Sequence, residues 1–426
     1  VSDGAGTREG EAPGAGGSTF AAVLATFSPA RNLRELVTPP REYFAPLDGI
    51  RALFPSWVIL AHCVFVCGTR EYRAGMHAEP GLRCAILAHY ALEAFFVLSG
   101  FLLANLLMRE HERTGTLNLG RYFLRRAARI LPTYYVAIVV FAAVHYPHRE
   151  HLFYNVFYLN NFLPIARQFM PWTWSLAVEE HFYIALPFLL LLMYRSRHFR
   201  GLFWLGLFAL ACFIRLILVD TYELTTALSD PTARGLIVID TLYTKSYSRF
   251  GAVVLGVIVA YVFRQRADLT SRIERSPALS WLLAGGALAC MLGLSTAGTP
   301  LDIPYFQLEN TWPTWLRPAA LALGRYLFSL AFACLILLSL GRSSAGRVLG
   351  RLLSPRPFYP IAQLSYGVYL FHPLVIESFP RPEPTYASVG GLFVKSAVLT
   401  YALALVVHLA VERPFMNLRK VWRRAA

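Results

Sequence analysis

The run ILAHYALEAFFVLSGFLLANLLM, residues 86–108, carries a single carboxylate, Glu93. At about 1.5 Å of rise per residue it is long enough to cross the roughly 30 Å hydrocarbon core of a bilayer as one helix. The next stretch, REHERTGTLNLGRYFLRRAAR at residues 109–129, carries six arginines. Lys and Arg are retained on the cytoplasmic side of membrane helices, so an apolar run that ends in a basic loop already has an orientation. Working outward, comparable apolar stretches occur at 48–68, 131–146, 172–194, 201–219, 247–263, 278–298, 318–340, 358–378 and 389–411. The spacing predicts an all-α, polytopic membrane bundle of about ten transmembrane helices.

Composition agrees: 56% of the 426 residues are hydrophobic and 15% charged, against roughly 45–50% and 25% in soluble domains. That balance excludes a disordered chain, a collagen-like fibre and a disulfide-stapled secreted scaffold. The net charge of +15 would fit nucleic acid in a soluble protein, but here it alternates from loop to loop. Arg195, Arg197 and Arg200 follow the fourth span, Arg264, Arg266, Arg272 and Arg275 the sixth, and Arg342, Arg347, Arg351 and Arg356 the eighth. The chain ends with Arg419, Lys420, Arg423 and Arg424, while the opposite loops hold Asp220, Glu223, Asp230, Asp302 and Glu309. Both termini are therefore expected in the cytoplasm, with no nucleic-acid partner and membrane lipid as the surroundings. Residues 1–40 read as a flexible Gly/Ala/Ser-rich N-terminal tail, 41–415 as the membrane domain and 416–426 as a basic C-terminal tail. The stretch FYNVFYLNNF, within residues 150–170, suits an interfacial or re-entrant segment better than another span. The six cysteines lack metal-ligand spacing, and a bridge between Cys67 and Cys84 is left open.

Ionisable groups at membrane depth are costly and mark the places to look for function. Arg51 and His62 are 11 positions apart, about 20° beyond three helical turns, so they share one face with a rise of roughly 16 Å between them. Imidazole suits proton removal from a hydroxyl, and guanidinium suits a phosphate or carboxylate clamp. The plain alternative is a packed His and an Arg reaching the headgroups. In WSLAVEEHFY, residues 174–183, Ser175, Glu179 and Tyr183 recur every fourth position, which puts a carboxylate between two hydroxyls. Glu179 either holds a partner imidazole or a sugar, or pairs with an intramembrane arginine such as Arg249. Arg121, Arg125 and Arg129 form a basic stripe fit for a polyphosphate or for anionic lipid. Ser99-Gly100 reads as a close helix approach, and His372 and Glu412-Arg413-Pro414 read as packing.

The chain resembles acyltransferase family 3 over roughly residues 43 to 415. The residues that carry the resemblance are Leu47 to Arg51 with His62, FFVLSGFLL, RRAARILP, WSLAVEEHFY, SRFGAVVLG, LSYGVYLFHPLV and VERPF, in that order. The resemblance implies transfer of an acyl group, commonly acetyl, from cytoplasmic acyl-CoA to an acceptor that is often an extracytoplasmic carbohydrate. It gives functional roles to Arg51, His62 and Glu179, while Arg126, Arg129, Trp174, Ser175, Tyr183 and Arg249 match further family positions. Glu93 stands where the family often has Asp, and His181 where Gln is frequent. Only a short tail is expected after the last span, without the soluble esterase-like domain that some members carry.

The expectation is thus an O-acyltransferase of the plasma membrane of a bacterium. His62 and Glu179 are the catalytic candidates, with Glu179 orienting His62 or the acceptor. Arg51, Arg125, Arg126 and Arg129 would hold the donor phosphates, and Trp174, Ser175, Tyr183 and Arg249 the substrate. No metal is called for. The competing readings are acylation of a lipid or macrolide-like molecule, and a transporter that uses Arg51, His62 and Glu179 as an ion path.

Overall fold

Charge excluded from a run of twenty or so residues leaves a helix as the structure that pairs every backbone group internally. The computed structural model describes residues 15–40, 43–67, 90–195, 199–225, 231–296, 313–383 and 385–425, and it has this form throughout, with no strand among those residues. The first five long helices are α1 (Ala45–Cys67), α2 (Ala91–Thr114), α3 (Leu119–Ala143), α4 (Trp174–Tyr194) and α5 (Arg200–Thr221). They are followed by α6 (Ser246–Gln265), α7 (Pro277–Thr296), α8 (Arg317–Leu340), α9 (Phe358–Glu377) and α10 (Tyr386–Val407). Among the described residues, nine helices are long and apolar enough to cross a membrane. The tenth predicted span, α9, is a helix of 20 residues that carries Gln, Ser, His and three Tyr and packs against α1 and α10.

The centre of the bundle is the contact between α2 and α6. Gly100 on α2 and Gly256 on α6 face each other's backbone so closely that a methyl group on either would overlap a carbonyl, Val253 O or Val97 O respectively. Small residues permit this approach where lipid supplies no hydrophobic drive. Seven residues before each glycine stand Glu93 and Arg249, whose charged groups are 2.7 Å apart. Glu112 and Arg264 pair near the other ends. The two helices therefore run parallel, with an ion pair on either side of the glycine contact.

Helix ends follow local chemistry. Gly115 takes a left-handed conformation (φ +72°) and closes α2 with its N–H on the His111 carbonyl, a position where any side chain would be strained. Asn118 then caps α3 by accepting from the Arg121 N–H at 2.8 Å.

The expected flexible tail over residues 1–40 is corrected in part. Residues 15–26 and 29–37 are helical, and Asn32 and Leu36 are buried. Asn32 donates to the Leu409 carbonyl at 3.1 Å and accepts from Asn417 at 3.2 Å, while Arg413 pairs with Glu35 at 2.9 Å. Glycine content alone did not reveal the amphipathic turn PARNLRELV, whose apolar face needs a partner. The C-terminal tail likewise continues as the helix Arg413–Ala425. The Cys67–Cys84 pairing lies outside the described residues.

Candidate active site

Four helices that carry the candidate residues, α1, α3, α4 and α9, have internal prolines. A proline has no N–H to give the carbonyl four residues earlier, so that carbonyl is free to bind a side chain. Pro187 in α4 frees the Tyr183 carbonyl, and the Tyr122 hydroxyl of α3 donates to it at 2.9 Å. Pro373 in α9 frees the Tyr369 carbonyl, which accepts from His372 Nδ1 at 2.8 Å. In α1, Pro55 lies between Arg51 and His62 on a helix that remains continuous.

Arg51, Arg126 and Arg129 gather at the arginine-rich end of the bundle. Arg129 interacts electrostatically with both Arg51 and Arg126, and all three are half-buried. Arg51 lies 3.5 Å from Asp48. The Arg126 guanidinium sits 3.9 Å above the Tyr183 ring, a cation–π contact that fixes its plane. Arg125 points elsewhere and pairs with Glu110 at 3.2 Å. The predicted stripe of every fourth arginine is thus not gathered as one group: Arg121 is exposed and Arg125 is paired with Glu110, while Arg129 lies with Arg51 and Arg126.

Glu179 stands beside this basic group. Its two oxygens accept from Ser99 at 3.2 Å and from the Tyr183 hydroxyl at 2.5 Å, and Arg126 and Arg51 are its charged neighbours. Neither expected pairing of Glu179 is present: Arg249 pairs with Glu93, and the His62 ring lies against another imidazole. The four-residue spacing of Glu179 and Tyr183 produces a hydrogen bond, whereas Ser175 joins a different chain. The Tyr369 hydroxyl donates to the Trp172 carbonyl at 2.5 Å, so it accepts from Ser175 Oγ at 2.6 Å.

His62 is half-buried, and its Nδ1 lies 2.9 Å from the Val58 carbonyl. A carbonyl only accepts, so Nδ1 carries the proton and Nε2 presents its lone pair. The ring meets that of His372 edge-to-face, with centroids 4.6 Å apart. Sequence spacing singled out His62 as a candidate, but His372 read as packing, because one helix cannot reveal which residue another helix sets against it.

Trp174 and Arg249 form a separate buried group. Arg249 is 0% exposed and lies 5.2 to 5.5 Å from the Phe96, Tyr243 and Trp174 rings. Its guanidinium approaches Glu93 without hydrogen-bond alignment, and Arg325 reaches the same carboxylate at 3.3 Å. Arg215, unremarked in the sequence, is also buried and donates to the carbonyls of Leu242, Ser248, Leu321 and Ala322. It fastens α5 to the starts of α6 and α8.

The expected re-entrant segment consists of short helical turns between Arg149 and Thr173, with Tyr158 and Met170 at positive φ (57° and 50°). Its Asn155 and Asn160 both donate to Thr173 Oγ1, at 3.0 and 3.2 Å. Lys245 holds the Asn161 and Leu163 carbonyls at 2.8 and 2.9 Å, and Asp240 accepts from the Ile165 N–H at 2.8 Å. Burial pushes the Asp240 carboxyl up and the Lys245 ammonium down from their ordinary values. His181 bonds Ser246 at 2.7 Å, and the same Ser246 hydroxyl accepts from Asn161 of the segment at 2.8 Å. Among the described residues, His148, Glu150 and His151 bring three possible metal ligands within 4.8 Å of one another, with Glu150 already 3.3 Å from His148 on the surface.

Nine helices long and apolar enough to cross a membrane among the described residues make this an integral, multi-pass membrane protein. The acyltransferase domain of family 3 matches residues 44–409, and the chain belongs to that family. Nose resistant to fluoxetine protein 6 of Caenorhabditis elegans is 26% identical, over 86% of this chain and 50% of the relative. The peptidoglycan O-acetyltransferase OatA of Listeria monocytogenes is 25% identical, over 88% of this chain and 56% of the relative. The chain thus spans about half the length of these relatives. No solved structure matches it.

Proposed function

We propose that the protein moves an acyl group, acetyl in the first instance, from acyl-CoA bound at the arginine-rich, cytoplasmic end to a hydroxyl of a carbohydrate acceptor. The observation that carries this is half-buried His62, whose Nδ1 bond to the Val58 carbonyl leaves the lone pair on Nε2, on the same helix as Arg51. Arg51, Arg126 and Arg129 supply fixed forks of donors for the coenzyme A phosphates. Nε2 takes the acceptor's hydroxyl proton as the oxygen bonds to the thioester carbonyl carbon. The carbon–sulfur bond then breaks, and the proton leaves with coenzyme A. Thioester cleavage is downhill, so alignment and proton removal are the main demands on the protein. Glu179 serves as a positioning residue that holds Tyr183 and balances Arg126. The carbohydrate acceptor is supported by the relative named for peptidoglycan O-acetylation.

The test is His62→Ala. A folded variant that binds acyl-CoA normally while turnover falls by on the order of 10²–10⁴-fold supports the base. Near-normal turnover in that variant contradicts it.

A further inference from the structure

His372 is 0% exposed, and its Nε2 has no hydrogen-bond partner among the described residues. A buried polar atom left unpaired costs roughly 1–3 kcal/mol and calls for an explanation. Packing does not supply one, since Leu or Phe would fill the place without that cost. The orientation of His372 is also specified: Pro373 frees the Tyr369 carbonyl, His372 Nδ1–H donates to it at 2.8 Å, and Nε2 is thereby left unprotonated. Tyr369 is itself held by Ser175 and the Trp172 carbonyl. The His62 ring is in edge-to-face contact with His372 at 4.6 Å, and the two imidazoles interact electrostatically.

We infer that His372 is a positioning residue for His62, and that its Nε2 lone pair stabilises the imidazolium His62 becomes on taking the acceptor's proton. This rests on the reading of His62 as the base. In a Ser–His–Asp triad a carboxylate orients the imidazole and stabilises its charged form. Here Glu179 is engaged by Ser99 and Tyr183, and a neutral imidazole occupies the place beside His62. No proton ends on His372: the hydroxyl proton moves to His62 Nε2, the carbon–oxygen bond forms, the carbon–sulfur bond breaks, and the proton departs with coenzyme A. A neutral partner avoids a second buried charge in the resting state and interacts most strongly when the first charge appears. Its stabilisation is thus concentrated at the transition state.

The experiment compares His372→Asn with His372→Gln, each in the full chain in membrane vesicles from expressing cells, with acetyl-CoA as donor and coenzyme A release as readout. The Asn amide reaches the Nδ1 position and keeps a donor for the Tyr369 carbonyl but places nothing at Nε2. The longer Gln places its amide oxygen near Nε2. The inference expects kcat for Asn to fall by on the order of 10²-fold, with KM for acetyl-CoA within about twofold of wild type. Gln should recover about tenfold over Asn. Wild-type turnover in the Asn variant, or equal losses in both variants with intact chromatographic behaviour, overturns it. If Gln fails to fold, the Asn result decides alone. His62→Ala is run in parallel: near-normal turnover there rejects the base itself, whereas an inactive His62→Ala beside a fully active Asn variant rejects only the role of His372.

Discussion

In the proposed mechanism each histidine acts through the ring nitrogen that its backbone bond leaves unprotonated. His62 and His372 each give Nδ1 to a carbonyl of their own helix, which fixes the tautomer without a carboxylate. In the proposed function Arg51 works differently, through the geometry of its fork. Arg51→Lys preserves the charge near Asp48 and Arg129 but replaces five planar donors with a point charge. Acyl-CoA affinity is expected to weaken by about tenfold, as measured by titration of the solubilised protein. Unchanged affinity would make Arg51 a headgroup anchor. Arg51 and His62 were both legible from an 11-residue spacing, because one helix contains both. The partners of Glu179 were not, since Ser99 comes from another helix and which residues meet across a helix pair depends on packing.

At the scale of elements, the parallel α2–α6 contact sets the frame from which Ser99, Glu93 and Arg249 project. Gly256→Ala would drive a methyl group into the Val97 carbonyl, and the two helices would have to separate. The expected cost is about 1–3 kcal/mol, read as a lower thermal midpoint in detergent. A variant as stable as wild type would contradict so close an approach. FFVLSGF announced this contact through its small pair, but the matching SRFGAVVLG became its partner only in the structure. The α9 helix shows the opposite limit. Its tyrosines and His372 make it less apolar than its neighbours, yet it is buried against α1 and α10 because the polar groups bond inward. The N-terminal turn at residues 29–37 was hidden by the glycine-rich stretch before it, which says nothing of an amphipathic helix that follows.

The whole molecule is organised by charge, since every second connection is rich in arginine. Single cysteines introduced at exposed positions within 266–275 and at 220–223 should label from opposite sides of the membrane, with the former cytoplasmic. Labelling from the same side would overturn the orientation. In the proposed transfer, that orientation would bring the donor in at Arg51, Arg126 and Arg129 and the acceptor to His62 from the other side.

The most direct measurement uses sealed vesicles of each orientation, prepared from cells that express the protein and given radiolabelled acetyl-CoA on the outside only. When the arginine-rich loops face outward, label should pass into carbohydrate in wild type and be lost in His62→Ala. With the loops facing inward, intact vesicles should incorporate none until they are opened. Equal incorporation in both orientations, or incorporation that survives His62→Ala, would contradict the transfer described here.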